Sequence, residues 1–138
     1  MRKIMTGAAA ALIAVSFAGT AASAAATAQP GGVWRNPKNS VHIKVQPCGG
    51  NVCGTVVWAN ARAKEKARKA GTPNLIGRQL FQEFRPAAGG SWNGRVFVPD
   101  VGRSFSGSLK PAGPNNLVAS GCLLGRFLCK SQTWTRVG

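Results

Sequence analysis

Residues 41–59 read VHIKVQPCGGNVCGTVVWA. Val41, Ile43 and Val45 fall on one face of an extended chain and His42, Lys44 and Gln46 on the other, the two-residue period of a half-buried strand. Gly49, Gly50 and Asn51 then supply residues that reverse the chain, and Val52 to Ala59 returns with Val56, Val57 and Trp58. Cys48 and Cys53 flank the reversal, within reach of one another if the two runs pair. The segment Ser40 to Ala59 therefore predicts an antiparallel β-hairpin tied near its turn.

The same grammar continues in both directions. Val33 to Asn36 is a short strand before the hairpin, and Gly77 to Phe84, Gly94 to Val98, Arg103 to Lys110, Asn116 to Cys122 and Ser131 to Val137 are strands after it. Pro99-Asp100-Val101-Gly102 suits a type I turn that ends in a left-handed glycine, and Pro111 to Asn116 is a second turn-rich connection. Short links make neighbours antiparallel. Eight such strands without crossover helices predict an all-β, up-and-down barrel, which removes the open edges of a flat sheet. The exception is residues 61–71, ARAKEKARKAG, with five cations and no large apolar side chain. It predicts a solvated basic helical turn or loop, on which Arg62, Lys66 and Lys69 share a face suited to phosphates or a lipid surface.

Arg2 and Lys3 precede an apolar run from Ala8 to Ala18, too short for a stable span, and small residues follow. Residues 1–28 are expected to be a signal peptide, cut between residues 24 and 28 at Ala22-Ser23-Ala24 or Ala26-Thr27-Ala28. No other segment is apolar enough to cross a membrane. The rest, residues 29–138, is the size of one domain, and its expected place is the periplasm or the medium. Without Arg2 and Lys3, 16 basic residues face Glu65, Glu83 and Asp100, a formal charge of +13. That surface attracts anions: lipopolysaccharide phosphates, phospholipid headgroups, acidic glycans or small acidic ligands. Four cysteines in an oxidising compartment predict two disulfides, with three possible pairings. The local pairs, Cys48 with Cys53 and Cys122 with Cys129, are preferred because each brackets a glycine-containing turn. A four-cysteine zinc site fits less well, since neither spacing is C-x₂-C, and no metal is expected.

Gly32-Val33-Trp34-Arg35, the run Cys48 to Gly54, Trp92-Asn93-Gly94 with Val98 to Gly102, and Gly121-Cys122 followed by Ser131 to Arg136 together resemble the bacterial domain of unknown function 2147 family. The motifs are separate and colinear across nearly all of residues 29–138. The resemblance implies an exported, calycin-like (lipocalin-like) barrel. Phe97 stands where that family more often has a phenol, and residues 61–71 are more cationic than expected for it. Within a closed barrel Gly32 lets the chain bend beneath the Trp34 indole, and Arg136 on the last strand stacks over Trp34 on the first. Trp134 belongs with them as a structural residue.

The sequence offers little for acid–base catalysis: one histidine, three acids and no tyrosine. No triad order, metal-binding histidine pair or phosphate loop is present, so neither an enzyme nor a cofactor is expected. His42 is expected on the solvent side of its strand. Eight strands leave an interior that is either filled or holds one small ligand. Trp58 and Trp92, with Arg78, Arg85, Arg95 and Arg103 as rim cations, are the candidates for contact with a small amphipathic or anionic ligand. A periplasmic binding protein is the leading expectation. The alternative is an envelope-associated or inhibitor-type interaction module with a filled barrel. A monomer is expected, and nucleic acid is not, because export removes the usual partner.

Overall fold

A computed structural model describes residues 30–124 and 127–138, with the single residue Ala14 besides; side chains are described outside residues 123–127. The expected leader, residues 1–28, and the Gly125 turn lie outside the described residues. Eight antiparallel strands run in chain order: β1 (Gly32–Arg35), β2 (Val41–Cys48), β3 (Asn51–Ala59), β4 (Gln79–Pro86), β5 (Trp92–Val98), β6 (Arg103–Pro111), β7 (Asn116–Leu124) and β8 (Phe127–Arg136). Each pairs with the next, and β1 pairs with β8, so the sheet closes into an up-and-down barrel. One helix, α1 (Ala61–Lys69), lies between β3 and β4. Among the described residues no helix is long and apolar enough to cross a membrane.

The inward stripe of β2 follows its sequence period: Val41, Ile43 and Val45 are buried and His42 and Lys44 face outward. Bulges break that simple phase elsewhere. In β3 the register shifts opposite His42 and Ile43, so Val57 and Trp58 both point to solvent. Along β4, Leu80 and Phe81 are both buried, and the chain skips again before Phe84, with Glu83 at φ 50°. Strict alternation puts Glu83 in phase with Phe81; the bulge instead swings Glu83 into solvent and returns Phe84 to the interior.

Both disulfides are the local ones, Cys48–Cys53 and Cys122–Cys129. Cys122 and Cys129 are directly opposite across β7 and β8, and pairing continues to Leu124 and Phe127. What reads as a loop before a strand at Ser131 is therefore the upper part of a longer hairpin. Its bridge joins paired strands rather than loop ends.

The connections between strands alternate between the two barrel ends, and the start of β1 and the end of β8 meet at one of them. One end is filled: Trp34, Val52, Phe84, Trp92, Leu109 and Leu117 are all buried there or toward it. The Arg136 guanidinium sits 4.3 Å from the Trp34 ring centre, Nη1 donates to the Gly31 carbonyl at 2.7 Å, and Nε donates to the Pro114 carbonyl at 3.0 Å. Trp34 Nε1 donates to the same Gly31 carbonyl. One cation thus joins the entering chain, the last strand and the β6–β7 turn. Gly32, at φ 97°, lies directly against Arg136 Nη1, and a Cβ there would come within 2.6 Å of the Gly138 carbonyl.

Gly113 also has a positive φ, 79°, but open space where a Cβ would stand. Gly113→Ala is expected to cost about 1 kcal/mol from the left-handed backbone alone. Gly32→Ala is expected to cost roughly 2 kcal/mol more, by adding overpacking against Arg136. Urea unfolding of the two variants measures the difference.

Candidate functional site

At the other end the barrel is open. A cavity of about 1130 Å³ descends from the mouth into the upper half of the interior. Its floor is aromatic: Phe81 meets Trp134 edge to face at 5.4 Å and Phe84 at 5.7 Å. Val41, Leu80, Val96, Phe105 and Ala119 carry the apolar wall upward. The inward positions of β8 continue it as a stripe of every second residue, Trp134, Gln132, Lys130 and Leu128, from floor to rim. Glycine keeps the space clear beside that stripe at Gly121, which stands level with Lys130 on β8 and pairs with Gly107 of β6 on its other side. A side chain on Gly107 would meet Val96 Cγ2 at 2.5 Å, whereas beyond Gly121 the interior is open.

The rim is cationic. Lys38, Arg62, Lys66, Arg103 and Lys130 line the opening, with Asp100 as the one acid on it. None of the five forms an ion pair among the described residues; both ion pairs, Glu65 with Arg68 and with Lys69, lie on the outer side of α1 and are exposed. Such pairs contribute little to stability, so they organise the helix surface at most. The rim cations are left to attract an anion, and the apolar wall beneath them excludes one.

Three connections hold the mouth. Asn36 Oδ1 accepts from the Ser40 and Val41 amides, and its Nδ2 donates to Ser40 Oγ, fixing the β1–β2 loop. Asn60 caps α1 by accepting from the Ala63 amide at 2.8 Å, while its own amide donates to the Ser40 carbonyl. At the far end of the helix, Gly102 of the β5–β6 turn lies directly against the Ala70 carbonyl. The helix therefore bridges the opening from one loop to another. Its anchors are small: Ala67 is fully buried and Ala63 packs on the core one turn away. The absence of large apolar residues in 61–71 suggests a loop free of the core, but alanines four apart let the helix backbone lie close to the barrel.

Of the residues singled out in the sequence, Arg103 stands on the cavity, as do Arg62 and Lys66 of the basic segment; Lys69 borders a shallow hollow beside it with Lys66 and Asp100. Trp58 is on the outer wall, 42% exposed and stacked 4.5 Å from His42, whose Nε2 bonds Asn39. Arg78 lies over the Phe97 ring at 4.1 Å, Arg95 reaches the Ser104 carbonyl on the outer face, and Arg85 is exposed toward the filled end. Trp92 is buried in the filled half, and its Nε1 has no hydrogen-bond partner among the described residues. Nothing in the sequence alone marks Leu128, Lys130 or Gln132 as lining a cavity. Their place follows from the two-residue period of β8, which runs unbroken upward through Cys129.

Residues 32–136 match the model of a protein family described as "Uncharacterized protein conserved in bacteria (DUF2147)". Among solved structures the chain is similar to HP1028 from the human pathogen Helicobacter pylori, a protein of the lipocalin family. The TM-score is 0.61 at 12% identity, over 78% of this chain and 82% of that one. No curated protein sequence matches. The likeness to HP1028 is one of fold: a lipocalin-like barrel.

Asn60→Ala removes the cap that starts the bridging helix and is expected to cost about 1 kcal/mol of global stability. Amide exchange across Ala61–Lys69 should accelerate well beyond that of β2, because the helix has few other ties.

Proposed function

The chain belongs to the DUF2147 family, and we propose that it is an exported, non-catalytic binding protein for a small amphipathic anion held in the barrel. The observation that carries this reading is the division of the cavity: an apolar shaft floored by Phe81 and Trp134 beneath five rim cations and a single acid. A ligand with an apolar body and one acidic group satisfies both halves, the body by leaving water and the acid by reaching Arg103 or Lys130. Gln132, partway down, offers one neutral polar contact for orientation.

Export is supported by the leader-like residues 1–28 and by two disulfides, which persist in oxidising compartments. A binding role rather than a reaction is supported by the titratable groups available. His42 faces away from the cavity, Glu65 is engaged with Arg68 on α1, and Glu83 is in solvent. That leaves Asp100 among cations at the rim, without a second acid or base to share a proton transfer. An interaction module with a filled interior remains the weaker reading, because the upper half of this barrel is hollow.

Displacement of a fluorescent apolar anion tests the proposal. The protein is expected to take up such a probe and to release it to straight-chain carboxylates more readily than to the matching amines. Arg103→Glu should weaken uptake about tenfold, the scale of one charge-assisted contact. Ala119→Trp, which fills the shaft, should abolish it. Equal uptake by the Ala119→Trp variant would place the probe outside the barrel and overturn the reading.

A further inference from the structure

The rim carries a feature that a soluble ligand does not require. Val101, at the β5–β6 tip, and Leu128, near the β7–β8 tip, are 55% and 66% exposed, the two most exposed large apolar residues among those described. Both stand on the cavity mouth, on neighbouring hairpins, among Lys38, Arg62, Lys66 and Arg103. Leu128 is held there at φ 55°, a backbone region that non-glycine residues seldom occupy, beside the bridged Cys129.

From this we infer that the open end of the barrel docks on an anionic phospholipid bilayer, with Val101 and Leu128 entering the interface and the rim cations resting on the headgroups. Two observations select this surface over the rest of a basic protein. The other exposed large apolar residues, Val57, Trp58, Ile76 and Val137, are each less than half exposed, whereas here the two most exposed share the cavity mouth with five cations, the pairing that interfacial proteins use. The same end is where the shaft opens, so an apolar-bodied ligand passes between bilayer and barrel without crossing water. Asp100 opposes docking, but it is outnumbered on the rim. The inference extends the ligand-binding reading but stands on the rim alone.

The test uses the full chain expressed in a bacterium and recovered as the cell processes it, with its mass measured so that all variants share one N-terminus. Co-sedimentation is measured with vesicles of phosphatidylglycerol and phosphatidylethanolamine, and with vesicles of phosphatidylcholine. Binding to the anionic vesicles is expected to be at least tenfold tighter and to weaken with salt. The Val101→Ser/Leu128→Ser double variant should lose about tenfold on anionic vesicles while keeping its retention on immobilised heparin, which reads charge without an apolar interface. Arg62→Gln and Lys66→Gln should each cost up to about fivefold. Ala119→Trp fills the shaft without touching the rim and should bind vesicles as the unaltered protein does. No preference for anionic vesicles, or a double variant that binds them undiminished, overturns the docking surface. Failure of probe uptake with vesicle binding intact overturns the ligand reading alone.

Discussion

Closure of this barrel rests on a narrow seam. β1 has four residues, and it meets β8 through two paired positions, Trp34 with Arg136 and Arg35 with Thr135. Backbone pairing that short gives little resistance to opening. Val33 extends it through backbone bonds with Val137 and Gly138, and Arg136 reinforces it by stacking on the indole of the first strand while its guanidinium occupies carbonyls from the N-terminal approach and the β6–β7 turn. A guanidinium suits this place because it is planar, always charged and able to donate in several directions at once. Lysine would provide the charge without the stack or the fork. With the seam held, six of the other seven junctions follow from short connections between consecutive strands, and β3 meets β4, across the longer link through α1, at Val52–Phe84, Gly54–Phe81 and Thr55–Gln79.

A closed end made in this manner explains why the interior divides into two parts. Large aromatic and branched side chains fill the half next to the Trp34–Arg136 seam. Above Phe81 and Trp134 the inward positions become smaller or sparser, as at Ala119 and Gly121. Eight strands set a bore that side chains can just fill, so hollowness is decided by which inward positions lack bulk. Here Ala119 and Gly121 of β7 leave room at one level, and the chain keeps its stability from the other.

Much of this was legible in the residues. The period of Val41, Ile43 and Val45, the Cys48–Cys53 turn and the proline- and glycine-rich links specify strands and their order, and they favour the local disulfides that the structure holds. Face assignment was less accessible, because it depends on counting along each strand and a bulge resets the count. Trp58 is the clearest case: one extra residue opposite His42 sends it to the outer wall. The arginines suffer from the same ambiguity, since charge marks them as surface residues without saying which rim or wall they occupy. The mouth stripe of β8 was hidden for another reason. Cysteines seven apart look like the ends of a loop, and their being opposite one another in a ladder depends on register, which only pairing reveals.

The Cys122–Cys129 bridge also bears on how tightly any guest can be held. It crosses the hairpin that supplies Leu128, Lys130, Gln132 and Trp134 to one wall, near the end farthest from the packed core. Ordering a loose hairpin around a ligand would draw on the free energy of association, since each immobilised side chain and backbone segment costs entropy at that moment. A covalent cross-link moves that loss to the folding step. The wall meets its ligand already shaped, and selectivity can then reside in the spacing between its amide and its ammonium groups rather than in the wall's ability to adapt.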